Sequence, residues 1–196
     1  MEKKYKLTEE TLEIDGHVLN RIIALRDFGE VKKGDIGGWI EGQENLSHDD
    51  DCWVYSNAKV YGDAEVYGNA KVCGEAEVYG YAEVYDDAEV YGNAKVCGEA
   101  KVYGEAEVYG NAIVLGDAKV CGDAKVEKKS DYIVFKNWWS SGRYFTWTRS
   151  NDMWSVGCFY GTGEELIKKA YKDSEEKGRE YARVVKYVES IKQELK

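Results

Sequence analysis

Between positions 53 and 124 the chain repeats one pattern of apolar and polar positions every six residues. Twelve consecutive hexads can be aligned, from WVYSNA and KVYGDA through EVYGNA and KVCGEA to KVCGDA. The second position is Val and the sixth Ala in every one of them. Within a hexad the positions alternate: Ala58 is small, Lys59 charged, Val60 apolar, Tyr61 amphipathic. Period-two alternation marks a strand with one buried face. Gly62-Asp63 then breaks it with turn residues. Each unit therefore predicts a very short strand and a corner, and six residues cannot bury their own Val. Such units must stack on copies of themselves, as solenoids do.

The flanks follow other periods. Leu12-Glu13-Ile14 alternates into Asp15-Gly16, a hairpin signal between β-prone runs. Ile40, Leu46 and Cys52 fall in phase with the Ala column and predict a degenerate coil over 35–52. Residues 1–34 are expected to cap the open strand edges of the solenoid. Beyond 126 the pattern predicts a three-stranded meander, with strands 132–139, 143–149 and 153–160. Thr162 and Glu165 form a capping box for a first helix, which Gly178 is expected to end. A second helix carries Tyr181, Val184, Val185, Val188, Ile191 and Leu195 on one stripe. The expected organisation is a cap (1–34), a solenoid (35–126), and a meander with two helices (127–196).

The A-x-V spacing over 35–126 resembles the hexapeptide-repeat family of left-handed parallel β-helices. That resemblance implies a mainly β fold in which three hexads make one coil of a triangular prism, with the Ala and Val columns inward. One departure is that Tyr or Cys, with Gly following, stands where the family often has Gly directly after the aliphatic residue. Twelve hexads then make four coils. The text RIIALRDFGEVKKGDIGGWI, with ENLSHDDDCWVY shortly after, further resembles the cap of hexapeptide-repeat proteins carried by phages and prophages of gut bacteria. The later GCFYGT and Glu164-Glu165 resemble the tail of that group.

Three hexads per coil also decide the cysteines. Cys73, Cys97 and Cys121 are spaced by 24 residues, four hexads, so each falls on a different prism face. They cannot meet at one metal or pair as disulfides, and with Cys52 and Cys158 they suggest a reducing cytoplasm. Stacking also places Tyr79, Tyr81, Ile113 and Leu115 on one face, as a contiguous apolar patch expected to be an oligomer contact. The analogy of the fold suggests a homotrimer.

Charge changes the picture of the partners. The chain carries 37 acidic and 27 basic residues, a formal net charge of −10, so no duplex nucleic acid is expected. No apolar run approaches a membrane helix, no signal peptide is read at the start, and no membrane partner is expected. The excess is uneven, because residues 127–196 hold 14 basic against 11 acidic positions.

The candidate binding chemistry lies there. Trp138, Trp139, Trp147 and Trp154 are interleaved with Lys136, Arg143 and Arg149, and aromatic faces with cations suit a ring-bearing anion such as a nucleotide. Their alternative role is plain core and solvated surface. Asp49-Asp50-Asp51 reads as a solvated loop rather than a cation site. The resemblance includes acyltransferases, in which a His is general base, but His17 and His48 are the only histidines and both precede the regular coils. No loop interrupts the repeat to build an active site. The expectation is therefore a non-enzymatic phage accessory protein without cofactor, sequestering a small anionic ligand such as a nucleotide immune signal in an anti-defence role. The alternatives are a structural scaffold and an acyltransferase.

Overall fold

The computed structural model describes residues 3–192 and 194. It divides into two compact units, 1–131 and 132–196. Leu195, the last position of the expected helical stripe, lies outside the described residues.

The first unit is a parallel β-solenoid of about five coils with three strand ladders. One ladder joins β3 (Ile36–Ile40) to the strands Lys59–Gly62, Glu77–Gly80, Lys95–Val96 and Ile113–Val114. The second stacks Trp53–Val54 up to Lys125–Val126, and the third Glu65–Val66 up to Lys119–Val120. Every Ala and Val of the twelve hexads is fully or almost fully buried. The core is thus two columns of small and branched side chains, as the alternation requires. Val90 pairs with Val72 on one side and Val108 on the other. Val90→Asp would bury an unpaired carboxylate there at a cost of several kcal/mol. The expected outcome is loss of soluble protein, checked by expression yield and thermal melting.

The corners explain the glycines. The fourth position of every hexad has positive φ, with Ser56 (φ 55°) and Asp86 (φ 56°) where Gly is missing. At Gly98 a Cβ would also stand 2.9 Å from the backbone N of Gly116 one coil on. Outward of the corners, tyrosines stack between coils: Tyr67 on Tyr85 at 4.8 Å, Tyr85 on Tyr103 at 4.9 Å, Tyr61 on Tyr79 and Tyr91 on Tyr109 at 5.1 Å.

The N-terminal hairpin, β1 (Tyr5–Ile14) and β2 (His17–Ala24), extends the first ladder by pairing β2 antiparallel to β3. Asp15 and Gly16 both take positive φ, 49° and 85°, as a two-residue hairpin of the Asp-Gly kind requires. The first coil departs from the expected phase. Ile40 pairs with Val60 and Leu46 with Val66, twenty positions on rather than eighteen, so both occupy the Val column. Cys52 keeps the Ala column, since its N–H donates to Gly68 and Trp53 pairs with Lys71. The two extra residues fall in the 47–51 loop. There the carbonyls of Asp49, Asp50 and Cys52 turn onto the ammonium of Lys4, which is 0% exposed. The triple aspartate is a loop wrapped around a buried cation.

The second unit has a four-stranded antiparallel sheet, Tyr132–Lys136, Tyr144–Thr148, Met153–Val156 and Phe159–Gly161. The expected strand 153–160 is two strands, because Gly157 (φ 61°) turns the chain between them. Thr162 caps α1 (Gly163–Asp173) through the expected box with Glu165. Gly178 does not end that helix. It lies inside α2 (Glu175–Lys192), where a Cβ would stand 2.3 Å from the Tyr171 ring, so it permits the close approach of the two helices.

Candidate functional site

The folded first unit brings together two side chains 24 positions apart. His17 opens β2 directly after the hairpin turn. Glu41 follows β3, the strand on which β2 lies. The Nδ1 atom of His17 stands 2.9 and 3.0 Å from the two carboxylate oxygens of Glu41. A carboxylate only accepts, so Nδ1 carries a hydrogen, and in the neutral ring the lone pair is then on Nε2. The imidazole is 38% exposed, and its ring lies 5.1 Å from that of Tyr61, the start of the Tyr61–Tyr79 stack.

Glu41 is itself held. Its Oε2 accepts the Gly62 N–H at 2.8 Å. Beneath it Asn45, 0% exposed, accepts from the N–H groups of Glu41 and Gly42 and donates to the carbonyls of Gly62 and Ala64. The His17 ring and the Gly62 amide hold the Glu41 carboxyl below the usual carboxylate range. The result is an imidazole fixed in one tautomer and orientation by a carboxylate, the arrangement of a general base. Apolar packing by Leu19, Trp39 and Tyr61 supports it from behind.

His48 has a different role. It stacks on Tyr5 at 4.3 Å and accepts the Lys4 N–H on Nδ1. Burial, with Lys3 and Lys4 beside it, pushes its pKa down. It packs on the Lys4–Tyr5 segment beside the 47–51 loop.

The residues expected to bind a ring-bearing anion are not brought together. Trp147 is 1% exposed, packed in the core with Phe145 and Trp154, and its indole N–H donates to Asp152. This corrects its reading as a stacking surface. Lys136, Trp138 and Trp139 stand at one end of the sheet. Arg149 follows the strand Tyr144–Thr148 at its other end, about 17 Å away by strand rise. The Arg143 side chain runs past Gly157 into a small recess with Tyr181 and Asp173. Of the residues expected at an oligomer contact, Tyr81 and Leu115 are 65% and 51% exposed, while Tyr79 and Ile113 are half-buried. Among the described residues no group of three or more His, Cys, Asp or Glu could hold a metal ion. Among the described residues no helix is long and apolar enough to cross a membrane.

No family description matches the chain. Part of it is 38% identical, over 69 residues, to a protein of Escherichia coli (strain K12) described as uncharacterized acetyltransferase YdcK. The match covers 31% of this chain and about a fifth, 21%, of that protein. The likeness supports the hexapeptide-repeat reading and lends nothing to a phage association. It also overturns the expectation of a chain without catalytic activity, because the matched relative is described as an enzyme. Sequence reasoning set His17 aside as part of the cap. The available signal was a histidine at the start of a strand after Asp-Gly, with a glutamate ending the neighbouring GGWI strand.

Proposed function

We propose that this chain is an acyltransferase of the hexapeptide-repeat kind, with His17 as general base and Glu41 as the residue that positions it. The observation that carries this reading is the contact of Nδ1 with both oxygens of Glu41. The acetyltransferase name of the partial relative supports it. In the reaction a hydroxyl or amine of the acceptor attacks the carbonyl carbon of an acyl thioester. The acceptor's proton passes to His17 Nε2 and the new C–O or C–N bond forms. The C–S bond breaks, and the departing thiolate takes the proton back from the imidazolium. Glu41 keeps the ring aligned and stabilises its charge while the proton resides there. Acetyl-coenzyme A enters as substrate, the acyl donor. We assign self-association to the exposed apolar positions Tyr81 and Leu115, beside Tyr79 and Ile113.

The test is release of free thiol from acetyl-coenzyme A with a panel of hydroxyl and amine acceptors. His17→Asn should lower turnover by about 10²–10⁴-fold with the fold unchanged by circular dichroism. Glu41→Gln should lose less, because the base remains but its alignment weakens. Equal turnover in His17→Asn, or none by the wild-type protein with any acceptor, would overturn the assignment.

A further inference from the structure

We propose that the hairpin tip of the second unit, residues 137–143, is a contact element for an anionic lipid surface. Trp138 and Trp139 are 73% and 65% exposed, side by side on one turn. Exposed indoles in such a pair are a costly surface for water to cover and mark an interaction site.

The turn is built to hold them out. Asn137, 2% exposed, donates to the Ser140 hydroxyl at 2.7 Å and accepts the Ser140 N–H, while its own N–H donates to the Arg143 carbonyl. Trp139 donates its indole N–H to Glu180 at 2.7 Å, and Glu180 is paired with Arg183. The polar atom of that indole is thus satisfied within the protein, and what remains outward is apolar. The binding element is therefore already ordered before contact, which lowers the entropy cost of binding.

Charge selects the occupant. The Lys136 ammonium lies 4.0 Å over the Trp138 ring and donates to the Tyr144 hydroxyl. Arg183, with its side chain 73% exposed, flanks the tip from α2. Tyr187, 55% exposed and edge-on to Phe135, adds a further exposed ring on α2, the helix that carries Arg183. Small-molecule ligands require a concavity, whereas a hairpin tip projects. A projecting pair of indoles with cations at its rim matches the headgroup layer, where Trp rings are favoured and Lys or Arg meets anionic lipid.

Flotation with vesicles of phosphatidylcholine, and of phosphatidylcholine with phosphatidylserine, tests this on the full chain. Wild-type protein should float with the phosphatidylserine vesicles, less so as salt rises, and its tryptophan emission should shift to the blue. Trp138→Ala with Trp139→Ala should cut binding about tenfold or more, with unchanged melting because both rings are exposed. Lys136→Gln should cut binding to the anionic vesicles about fivefold and leave phosphatidylcholine alone unaffected. A wild-type protein that floats with neither vesicle overturns the proposal, as does a double variant that floats equally well. So does tight binding of a single-stranded oligonucleotide, lost in the double variant and unaccompanied by flotation, which would assign the tip to base stacking instead.

Discussion

Asn45→Leu is expected to destabilise the first unit by roughly 4 kcal/mol or more, a large share of the 5–15 kcal/mol that holds a domain folded. The wild-type side chain is fully buried and uses all four of its hydrogen-bonding positions. Leucine has a similar volume, so the loss is not one of packing. It leaves the Gly42 N–H and the carbonyls of Gly62 and Ala64 without that partner, while the Glu41 N–H keeps the Val60 carbonyl at 3.2 Å. Each such group costs about 1–3 kcal/mol. Urea unfolding should show a lower midpoint with an unchanged slope. Acyl transfer should fall as well, because Asn45 holds the backbone on both sides of the Glu41–Gly62 hydrogen bond. A midpoint shift worth less than about 1 kcal/mol would mean that other groups or water replace the amide.

What could be read from the sequence, and what could not, divides by range. The solenoid was legible because its information is local and repeated. Ala94 and Val96 two positions apart face inward, and Gly98 two further on must turn the corner. Asp15-Gly16 and the Thr162–Glu165 box were legible for the same reason, since turn and cap chemistry acts within four residues. The first coil was not, because its phase depends on Lys4, which recruits carbonyls 45 to 48 positions away and draws two extra residues into the 47–51 loop. Nor was the His17–Glu41 pair, which exists only through the pairing of β2 with β3. Among the tryptophans, spacing treats Trp138, Trp139, Trp147 and Trp154 alike. Trp147 and Trp154 are cross-strand neighbours on the face that α1 and α2 cover, whereas Trp138 and Trp139 occupy the turn. Helix–sheet packing separates them, and spacing along the chain does not.

Alkaline unfolding should expose how the tyrosine columns are held. Seven phenols lose protons only at high pH in the folded chain. Burial raises Tyr5, Tyr55 and Tyr61. Burial raises Tyr67 and Tyr91 too, helped by their hydrogen bonds to Glu83 and Glu107. Tyr79, beside Cys97, and Tyr85, half-buried in its stack, are each pushed up to about 12. Stacked rings 5 Å apart also cannot all become anions without repelling one another. Below about pH 10 the phenols are protonated whether the chain is folded or not, and the contribution to stability is complete. Above it the unfolded chain gives up protons that the folded chain retains, so stability falls as pH rises towards 12. The slope is at most about 1.4 kcal/mol per pH unit for each retained proton, and less for half-exposed rings. Lys4 runs the other way, because burial lowers its pKa and its loss of a proton relieves the folded state, but it is one group against seven. The expected record is a steep step in tyrosinate absorbance well above pH 10 that coincides with loss of β circular dichroism. An absorbance change that is complete before the circular dichroism alters, with no such late step, would show that the columns are open to solvent and contribute nothing to the fold.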